Sequence, residues 1–295
     1  MRRFLSLWGL ACTGCLAIGI AMLICACSKA EEFIYVDEQV ITEDGSGITV
    51  TDENGNVSLL PSGTVIGVYV VDEDGNVSML EVEVDEDGNA ILPASAGSTV
   101  IAYSPYQEDW GEDALTQAQL FEVSGDQRSE ADFVNSDLMI GSTGSVTRSG
   151  DGAMNFVHML CKVAVHVVDE TGRLDLSGIQ LELLNVNNNV EVDLLHQSVA
   201  TIDNERKDIY MRTETTTDWR VSSYAIVAPQ TVGEGADFFA VTLFGERQVY
   251  ALPQESALEG GKMFSVTVRL TEHGLIFEGG YIRDWTDGGE EDLEC

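Results

Sequence analysis

The sequence predicts an all-β protein, and three observations support that class. Short runs rich in Val, Ile, Thr and Tyr recur after residue 34, and clusters of Gly, Asn, Asp and Pro separate them. Several runs alternate apolar and polar residues with the period of a half-buried strand. After the first 30 residues only the short segment 112–121 suggests a helix. Many short strands at near-regular spacing are typical of sandwiches or barrels, and 295 residues suffice for two β-sandwich domains in tandem.

The first 26 residues form a separate element, an N-terminal export signal. Arg2 and Arg3 precede an uncharged, mostly apolar run over residues 4–26, as in a secretory signal peptide. The letters LICAC at residues 23–27 resemble a bacterial lipobox, so we expect a lipoprotein signal peptide, cleavage after residue 26, and diacylglycerol on Cys27. The alternative is an uncleaved signal anchor, because about 20 apolar residues can span a bilayer. The next residues, SKAEE, resemble the export tag of surface-exposed outer-membrane lipoproteins.

The strand predictions follow the chain in order, and one flexible segment suggests a domain boundary. Strands are predicted at residues 64–71, 77–84, 98–103, 162–168, 179–184, 223–227, 238–244, 263–270 and 274–277. The most Gly- and Ser-rich stretch of the mature chain is GSTGSVTRSGDG at residues 141–152. That composition is typical of an interdomain joint. We therefore predict an N-terminal domain of residues 27–145 and a C-terminal domain of residues 146–295.

An acidic phrase recurs in the N-terminal half and raises the question of calcium binding. DEDGN stands at residues 72–76 and 85–89, and a looser copy, DENGN, at residues 52–56. An EF-hand-type loop needs oxygen ligands at positions 1, 3 and 5 and a bidentate Glu at position 12. Aligning Gly75 or Gly88 at position 6 leaves one of these ligands missing in each copy. Because Asp-Gly and Asn-Gly favour two-residue hairpin turns, we predict turns and no metal site.

The charge distribution excludes one class of partner and marks one unusual segment. The chain has 50 Asp and Glu residues against 15 Lys and Arg, a net charge of −35. Nucleic acid is therefore excluded as a partner, because phosphate binding needs clustered cations. Residues 30–127 contain neither Lys nor Arg. We call them the cation-free segment.

The sequence contains no strong catalytic motif. The chain has four histidines, at positions 158, 166, 196 and 273, and neither a Gly-x-Ser-x-Gly nor a His-Glu-x-x-His motif. Three residues separate His158 from Cys161, which places them on opposite faces of a strand and argues against a shared zinc site. We expect no enzyme activity, no cofactor and no metal. Abundant carboxylates in turn phrases do not indicate a glycosidase.

Aromatic and cysteine residues leave two questions open. Trp110 and Trp219 are candidates for stacking on a glycan, although widely spaced Trp residues also pack in cores. After signal cleavage, Cys161 and Cys295 are the two cysteines without lipid, so one disulfide is possible. Cys161 lies in an apolar run and fits a small buried hydrophobe. Whether the two cysteines pair stays open.

Six segments in order resemble the motifs of a known family. They are TVIAYSPY at residues 99–106, DQ at 126–127 with SDLM at 136–139, FVHMLCKV at 156–163, APQT at 228–231, GGKMF at 260–264 and IRDW at 282–285. Together they resemble the fimbrillin-like (Mfa-like) proteins, type V pilus subunits of Bacteroidetes-type bacteria. The resemblance covers roughly residues 67–285.

The resemblance implies a fold and an assembly route. The implied fold is two transthyretin-like β-sandwich domains, and the implied function is a subunit or adhesin of a cell-surface fimbrium. A lipidated precursor would reach the outer membrane, and in shaft subunits a protease cuts after an Arg to release the N-terminal strand. A donor strand from the next subunit then completes the sheet, which is β-augmentation. The resemblance points to residues 263–270 and 274–285 as the contact with that neighbour.

The cation-free segment departs from what a shaft subunit needs. Only Lys29 precedes Arg128 in the mature chain, so an Arg-specific protease has no site at which to release a leading strand. We therefore favour an anchor or accessory subunit over a shaft pilin. Expected partners are other fimbrial subunits through strand exchange, the outer membrane through the lipid on Cys27, and a host or bacterial surface ligand. The alternative function is a glycan-binding outer-membrane lipoprotein that uses Trp110 and Trp219.

Overall fold

A computed structural model describes residues 49–51, 57–86, 97–145, 154–217, 220–271 and 274–284, and these residues are almost entirely β-structure. The strands are β1 (Thr49–Thr51), β2 (Val57–Leu59), β3 (Val65–Val71), β4 (Val77–Glu83), β5 (Thr99–Ser104), β6 (Gln119–Glu122), β7 (Met139–Ser145), β8 (Asn155–His158), β9 (Cys161–Asp169), β10 (Gln180–Asn187), β11 (Asn189–Asp193), β12 (Ser198–Thr201), β13 (Arg206–Tyr210), β14 (Arg212–Thr217), β15 (Arg220–Val227), β16 (Gln230–Val232), β17 (Asp237–Leu243), β18 (Glu246–Ala251), β19 (Ser256–Leu258), β20 (Lys262–Thr271) and β21 (Gly274–Asp284). One α-helix, α1 (Glu130–Asn135), and one 3-10 helix (Glu112–Leu115) accompany them. The predicted all-β class is confirmed.

Every predicted strand lies on an observed one, but the helix prediction is wrong in extent. Of residues 112–121, only Glu112–Leu115 are helical, in a single 3-10 turn. From Gln119 the chain pairs with β11 instead and buries Phe121, so tertiary pairing overrides local propensity. Helix α1 is absent from the sequence-based predictions. It begins after Ser129, whose hydroxyl accepts a hydrogen bond from the Asp132 backbone N–H at 3.0 Å.

The strands form a seven-stranded sheet in the order β2-β1-β8-β7-β5-β3-β4, and its central strands β3 and β5 are buried on both faces. Successive side chains of β3 alternate between two hydrophobic clusters, with Val68 in one and Tyr69 in the other. We call the smaller cluster the N-terminal core; it contains Leu60, Ile66, Val68, Val70, Val84, Val100, Ala102, Met139, Met154 and Phe156. The larger cluster, here the main core, runs in sequence from Tyr69 to Leu270.

The predicted domain boundary between residues 145 and 146 divides two paired strands. β7 and β8 lie on either side of it and are antiparallel neighbours, with Gly141 opposite Phe156. A Cβ atom on Gly141 would stand 2.8 Å from the Asn155 carbonyl oxygen, so this glycine permits close approach of two backbones. The predicted boundary thus falls between two strands that pair in one sheet, and the division of the chain into two domains stays a prediction.

The strands after His158 form a sandwich. The five-stranded sheet has the order β14-β15-β9-β20-β21, with β9 antiparallel to β15 and parallel to β20. The antiparallel sheet β13-β10-β17-β18 faces it, and Val165 and Leu183 from the two sheets meet in the main core. A third sheet, β12-β11-β6, contributes Phe121 from the N-terminal half to the same core. The two halves of the chain thus share one hydrophobic cluster.

The described copy of the acidic phrase is a hairpin turn, longer than the two residues predicted. Asp72 and Asn76 close the β3–β4 loop through a backbone hydrogen bond of 3.0 Å, and Gly75 between them has φ +82°. This is a three-residue loop that ends on a left-handed glycine. Asp72 Oδ1 accepts hydrogen bonds from the backbone N–H groups of Asp74 and Asn76 at 2.9 and 2.7 Å. The pKa of Asp72 is lowered, mainly by the hydrogen bond from the Asn76 side chain and also by these backbone bonds. Residues 52–56 and 87–89 of the other copies lie outside the described residues.

Candidate functional site

Two of the segments that carry the family resemblance contact each other in the structure. Asp137 of SDLM and His158 of FVHMLCKV join through Oδ1 and Nδ1 at 2.9 Å. Lys162 of the latter segment lies with its Nζ 4.9 Å from the ring centre of Tyr224. The sequence pattern gave no indication of these partners, because the residues lie far apart along the chain.

Gln127, within the DQ segment, takes the place of a peptide group beside β15. Its Nε2 donates to the Ile226 carbonyl oxygen and its Oε1 accepts from the Ile226 N–H, both at 2.8 Å. The side chain is fully buried. The pairing of β14 with β15 ends at Tyr224, so β14 offers no partner to the backbone of Ile226. The Gln127 amide takes that place and satisfies the Ile226 N–H and C=O groups. This residue fastens the N-terminal half to the C-terminal sheet.

Gln230, within the APQT segment, likewise pairs its side-chain amide with the backbone of Asn187 at the end of β10. Its Oε1 accepts the Asn187 N–H at 3.0 Å, and its Nε2 donates to the carbonyl oxygens of Ala228 at 2.9 Å and Asn187 at 3.3 Å. Both glutamines therefore satisfy backbone groups where a strand ladder stops. Their role is structural.

Trp110 is a core residue, which removes it from the glycan-stacking candidates. It is 2% exposed, and its ring centre lies 4.6 Å from that of Tyr103 and 6.5 Å from that of Phe121. The neighbouring Tyr69 hydroxyl donates to the Gly111 carbonyl oxygen at 3.0 Å, and burial raises the pKa of Tyr69 to about 12. Trp219, the second candidate, lies outside the described residues.

The described histidines and Cys161 do not form an accessible reactive group. His166 lies between two hydroxyls, with Nδ1 2.9 Å from Ser222 Oγ and Nε2 3.1 Å from Ser265 Oγ. Both serines are fully buried, so this Ser–His contact is closed to substrate. Cys161 is a buried free thiol, as expected of a small hydrophobe, and burial raises its pKa to about 12. Among the described residues, no three His, Cys, Asp or Glu side chains are grouped to hold a metal ion.

The two C-terminal strands differ in their freedom to meet a neighbour. β20 is paired on both sides, with β9 and with β21, so its backbone is already used. β21 is the last strand of its sheet, and among the described residues its outer edge has no partner strand. β21 is held by close packing at Gly280, where a Cβ atom would stand 2.3 Å from Phe264 Cζ. The two strands that the resemblance grouped together thus present one free edge, on β21.

In the seven-stranded sheet, β1 is a short strand. Among the described residues it is parallel to β8 through two residue pairs, Thr49 with Asn155 and Val50 with Phe156, and antiparallel to β2 through three. Arg128, the first cation of the described chain, follows β6 and forms an ion pair of 2.5 Å with Asp126. Strands from both sides of Arg128 interleave in the seven-stranded sheet.

Two surface grooves flank the loop that follows β5. The first, which we call the Tyr106 groove, has a volume of about 540 Å³ and is lined in part by Tyr106, Gln107, Glu122, Asp132 and Asn135. The second has about 430 Å³, shares Pro105, Tyr106 and Asn135 with the first, and adds Glu81, Glu108 and Val134. The end of α1 and the Pro105–Tyr106 turn thus form a ridge between the two grooves.

The predicted lipid site, Cys27, lies outside the described residues, as does the whole signal segment. In the part of the chain that the structure describes, no helix has the length and apolar character needed to cross a membrane.

Comparison with solved structures supports the fold. A Bacteroides ovatus protein assigned to cell adhesion superposes with a TM-score of 0.64 at 15% identity, covering 83% of this chain and 96% of that one. A Bacteroides uniformis protein with the same assignment gives a TM-score of 0.58 at 18% identity, covering 83% of this chain and 100% of that one. Identities this low show a common fold and nothing about function. No curated protein matches the chain in sequence.

The sequence itself matches the fimbrillin-like family over residues 36–285. This range contains all six segments on which the resemblance rests. The chain therefore belongs to the fimbrillin-like family.

Proposed function

We propose that the protein is a non-catalytic fimbrial subunit or adhesin, held at the outer membrane by a lipid on Cys27. We further propose that it serves as an anchor or accessory subunit and keeps its leading segment. Family membership supports the fimbrial part of this proposal. The lipobox at residues 23–27 supports the membrane part.

One observation carries the choice of an anchor or accessory role: no strand of the seven-stranded sheet contains Lys or Arg. An Arg-specific protease therefore has no cleavage site inside this sheet. A cut at Arg128 would separate β5 from its partner β7, and β1 from its partner β8. Such a cut would divide a buried sheet and would release no leading strand.

Strand exchange, if this subunit takes part in it, has a natural location at the free edge of β21. A row of unpaired backbone N–H and C=O groups can pair with an extended segment of another chain. The short pairing of β1 with β8 among the described residues makes the β2–β1 side of the seven-stranded sheet the second place where a strand could be replaced. The proposed partners are other subunits of the same fibre.

Lipid attachment is tested by a Cys27→Ala variant expressed in the native cell envelope. We expect the variant to lose acyl labelling and to leave the outer-membrane fraction. A Cys25→Ala variant is the matched control, because Cys25 lies two residues earlier and is predicted to be removed with the signal. Persistent membrane attachment of Cys27→Ala with unchanged mobility would contradict the lipid site.

Fibre position is tested by gold labelling of isolated fimbriae with an antibody to this protein. An anchor or accessory subunit predicts label at one end, or sparse label. Dense label along the whole shaft would show that the protein is the repeating subunit.

A further inference from the structure

The Tyr106 groove presents polar atoms that the fold leaves unused. Among the described residues, neither the Asn135 amide nor the Tyr106 hydroxyl makes a hydrogen bond. Gln107 donates through Nε2 to the Pro105 carbonyl oxygen at 3.2 Å, and its Oε1 makes no hydrogen bond to a described residue. The groove therefore offers both donors and acceptors to a ligand.

Two carboxylates in the groove are partly engaged, and each keeps one free oxygen. Glu122 Oε1 accepts from Lys207 Nζ at 2.6 Å and from Asn188 Nδ2 at 3.2 Å, and these contacts lower the pKa of Glu122, with the Lys207 bond as the largest cause. Asp132 Oδ2 accepts the Ser129 hydroxyl at 2.5 Å. Within the described part of the chain, Glu122 Oε2 and Asp132 Oδ1 make no hydrogen bond. They remain as fixed acceptors, with the Glu122 charge already paired.

The lining of the groove excludes several ligand classes. Neither Lys nor Arg is among the residues that line it, so it does not attract an anionic ligand. Its lining is mostly polar and it opens to solvent, so it does not suit an apolar ligand. A basic peptide is less well matched than a neutral ligand, because Lys207 already pairs with one of the two carboxylates.

An aromatic side chain completes the site. Tyr106 is half-buried and packs against the main core, so its ring is held in place while it lines the groove. A fixed aromatic ring beside amides and carboxylates with free hydrogen-bonding atoms matches a ring compound rich in hydroxyl groups. The hydroxyls can donate to carboxylate oxygens and accept from amides, and the C–H face can pack on the aromatic ring. The volume of about 540 Å³ accommodates a small number of sugar units.

We infer that the Tyr106 groove binds a neutral saccharide, with the Tyr106 ring as its packing surface and Asn135, Asp132 and Glu122 as hydrogen-bonding partners. The biological meaning of this binding rests on the proposed function, a fimbrial subunit or adhesin at the cell surface. It gives the adhesive part of that role a ligand class, and it uses none of the Trp residues considered from sequence. The second groove, across the ridge, extends the site for a longer chain.

Binding is tested with purified protein lacking the signal peptide, by titration calorimetry and saturation-transfer NMR. The probes are neutral oligosaccharides: maltohexaose, cellohexaose, xylohexaose, mannohexaose and lacto-N-tetraose. We expect saturable binding of at least one, and a drop in the association constant of about tenfold in Tyr106→Ala. Asn135→Ala, at an exposed position where folding is not at risk, should weaken binding about threefold or more.

Phe244→Ala is the aromatic control, because Phe244 is 70% exposed at the β17–β18 turn and is not among the residues that line the groove. The inference is overturned if no probe binds at about 10 mM. It is equally overturned if Phe244→Ala weakens binding as much as Tyr106→Ala, or if a Lys-rich peptide binds in a salt-dependent way and the saccharides do not. Because the assay uses isolated protein, its failure leaves lipidation and fibre position untouched.

Discussion

The two largest sheets of the described chain both have buried central strands, but they differ in the charges that their strands carry. No strand of the seven-stranded sheet contains Lys or Arg, whereas the strands of the five-stranded sheet contain six. In the second sheet Arg269 pairs with Glu170 at 2.8 Å and Arg212 with Glu214 at 3.1 Å. In the first, acidic turns such as that at Asp72 satisfy their carboxylates with their own backbone N–H groups.

The lack of cations bears on how the seven-stranded sheet is stabilised and on why it resists one class of protease. Its stability comes from the burial of its central strands on both faces and from turn hydrogen bonds, and its own strands contribute no Lys or Arg to an ion pair. The same lack of cations removes every Arg- and Lys-specific cleavage site between residues 30 and 127. The absence of Lys and Arg therefore also protects the leading strand of this sheet from such proteases.

The largest change in stability is expected when a buried ring is removed from the N-terminal core. Phe156→Ala removes a fully buried ring from that core, and we expect a loss of about 3–5 kcal/mol of unfolding free energy. Hydrogen exchange should quicken in β3 and β5 before it does in β17, because β3 and β5 line the N-terminal core as well as the main core, whereas β17 contributes to the main core alone. Val157→Ala, at a 42% exposed neighbour, should stay within about 0.5 kcal/mol of the wild type. Equal loosening of β17 would show that the two clusters are one cooperative unit.

The next effect tests the link between the halves. Gln127→Ala leaves the Ile226 N–H and C=O buried without their side-chain partners, and we expect a loss of about 2–4 kcal/mol. Urea denaturation measures the change, with exposed Gln254→Ala as the control expected to differ little. A loss below about 1 kcal/mol would mean that water replaces the glutamine amide at no great cost.

A third effect depends on pH and tests the turn after β9. The Asp169 carboxylate accepts backbone N–H groups of Thr171 at 2.9 Å and of Arg173 and Leu174 at 2.8 Å. Burial raises its pKa, but these bonds, led by that of Leu174, lower it overall. A depressed folded-state pKa adds stability that is full above the unfolded pKa of about 3.9 and is lost as pH falls through the folded value.

Asp169→Ala should therefore destabilise the protein by about 1–2 kcal/mol at pH 7, and the difference from the wild type should narrow below about pH 4. Denaturant titrations at several pH values measure it. A difference that stays constant from pH 7 to about pH 2 would show that packing, not the ionised carboxylate, stabilises this turn.

The smallest effect concerns salt. Raising NaCl from about 0.05 to 0.5 M screens the repulsion within a chain of net charge −35, and we expect a stabilisation of about 1 kcal/mol or less. Hydrogen-exchange protection should rise more in the seven-stranded sheet than in the five-stranded one, because salt also weakens the ion pairs of the latter. A fall in protection in the seven-stranded sheet would contradict the charge comparison.

Much of the fold could be predicted from sequence because strand periodicity is local. The alternation in β4 and the apolar runs of β3, β5 and β9 identify strands without knowledge of their partners. A domain boundary is harder to predict, because glycine serves both flexible joints and close strand contacts, and the close approach of Gly141 to the Asn155 backbone is visible only in the structure. The six residues of α1 were too few to show a period, although Ser129 with Asp132 three residues on is a capping signal.

The site was far less predictable, because it is assembled from distant residues. Tyr106 follows β5, Glu122 ends β6, and Asn135 ends α1, and nothing in the spacing of these residues brings them together. The two peptide-mimicking glutamines are equally invisible to pattern analysis. Trp110 illustrates the opposite error: a large aromatic suggests a binding surface, and only its 2% exposure shows that it belongs to the core.

The most direct test of the central claim is mass spectrometry of the N-terminus of the protein recovered from fimbriated cells. If the cation-free segment keeps the leading strand attached, the mature chain begins at acylated Cys27 and is close to full length. A new N-terminus near residues 40–55, on a subunit that repeats along the fibre, would contradict the account. It would show that a protease of another specificity releases the leading strand and that the protein forms the shaft.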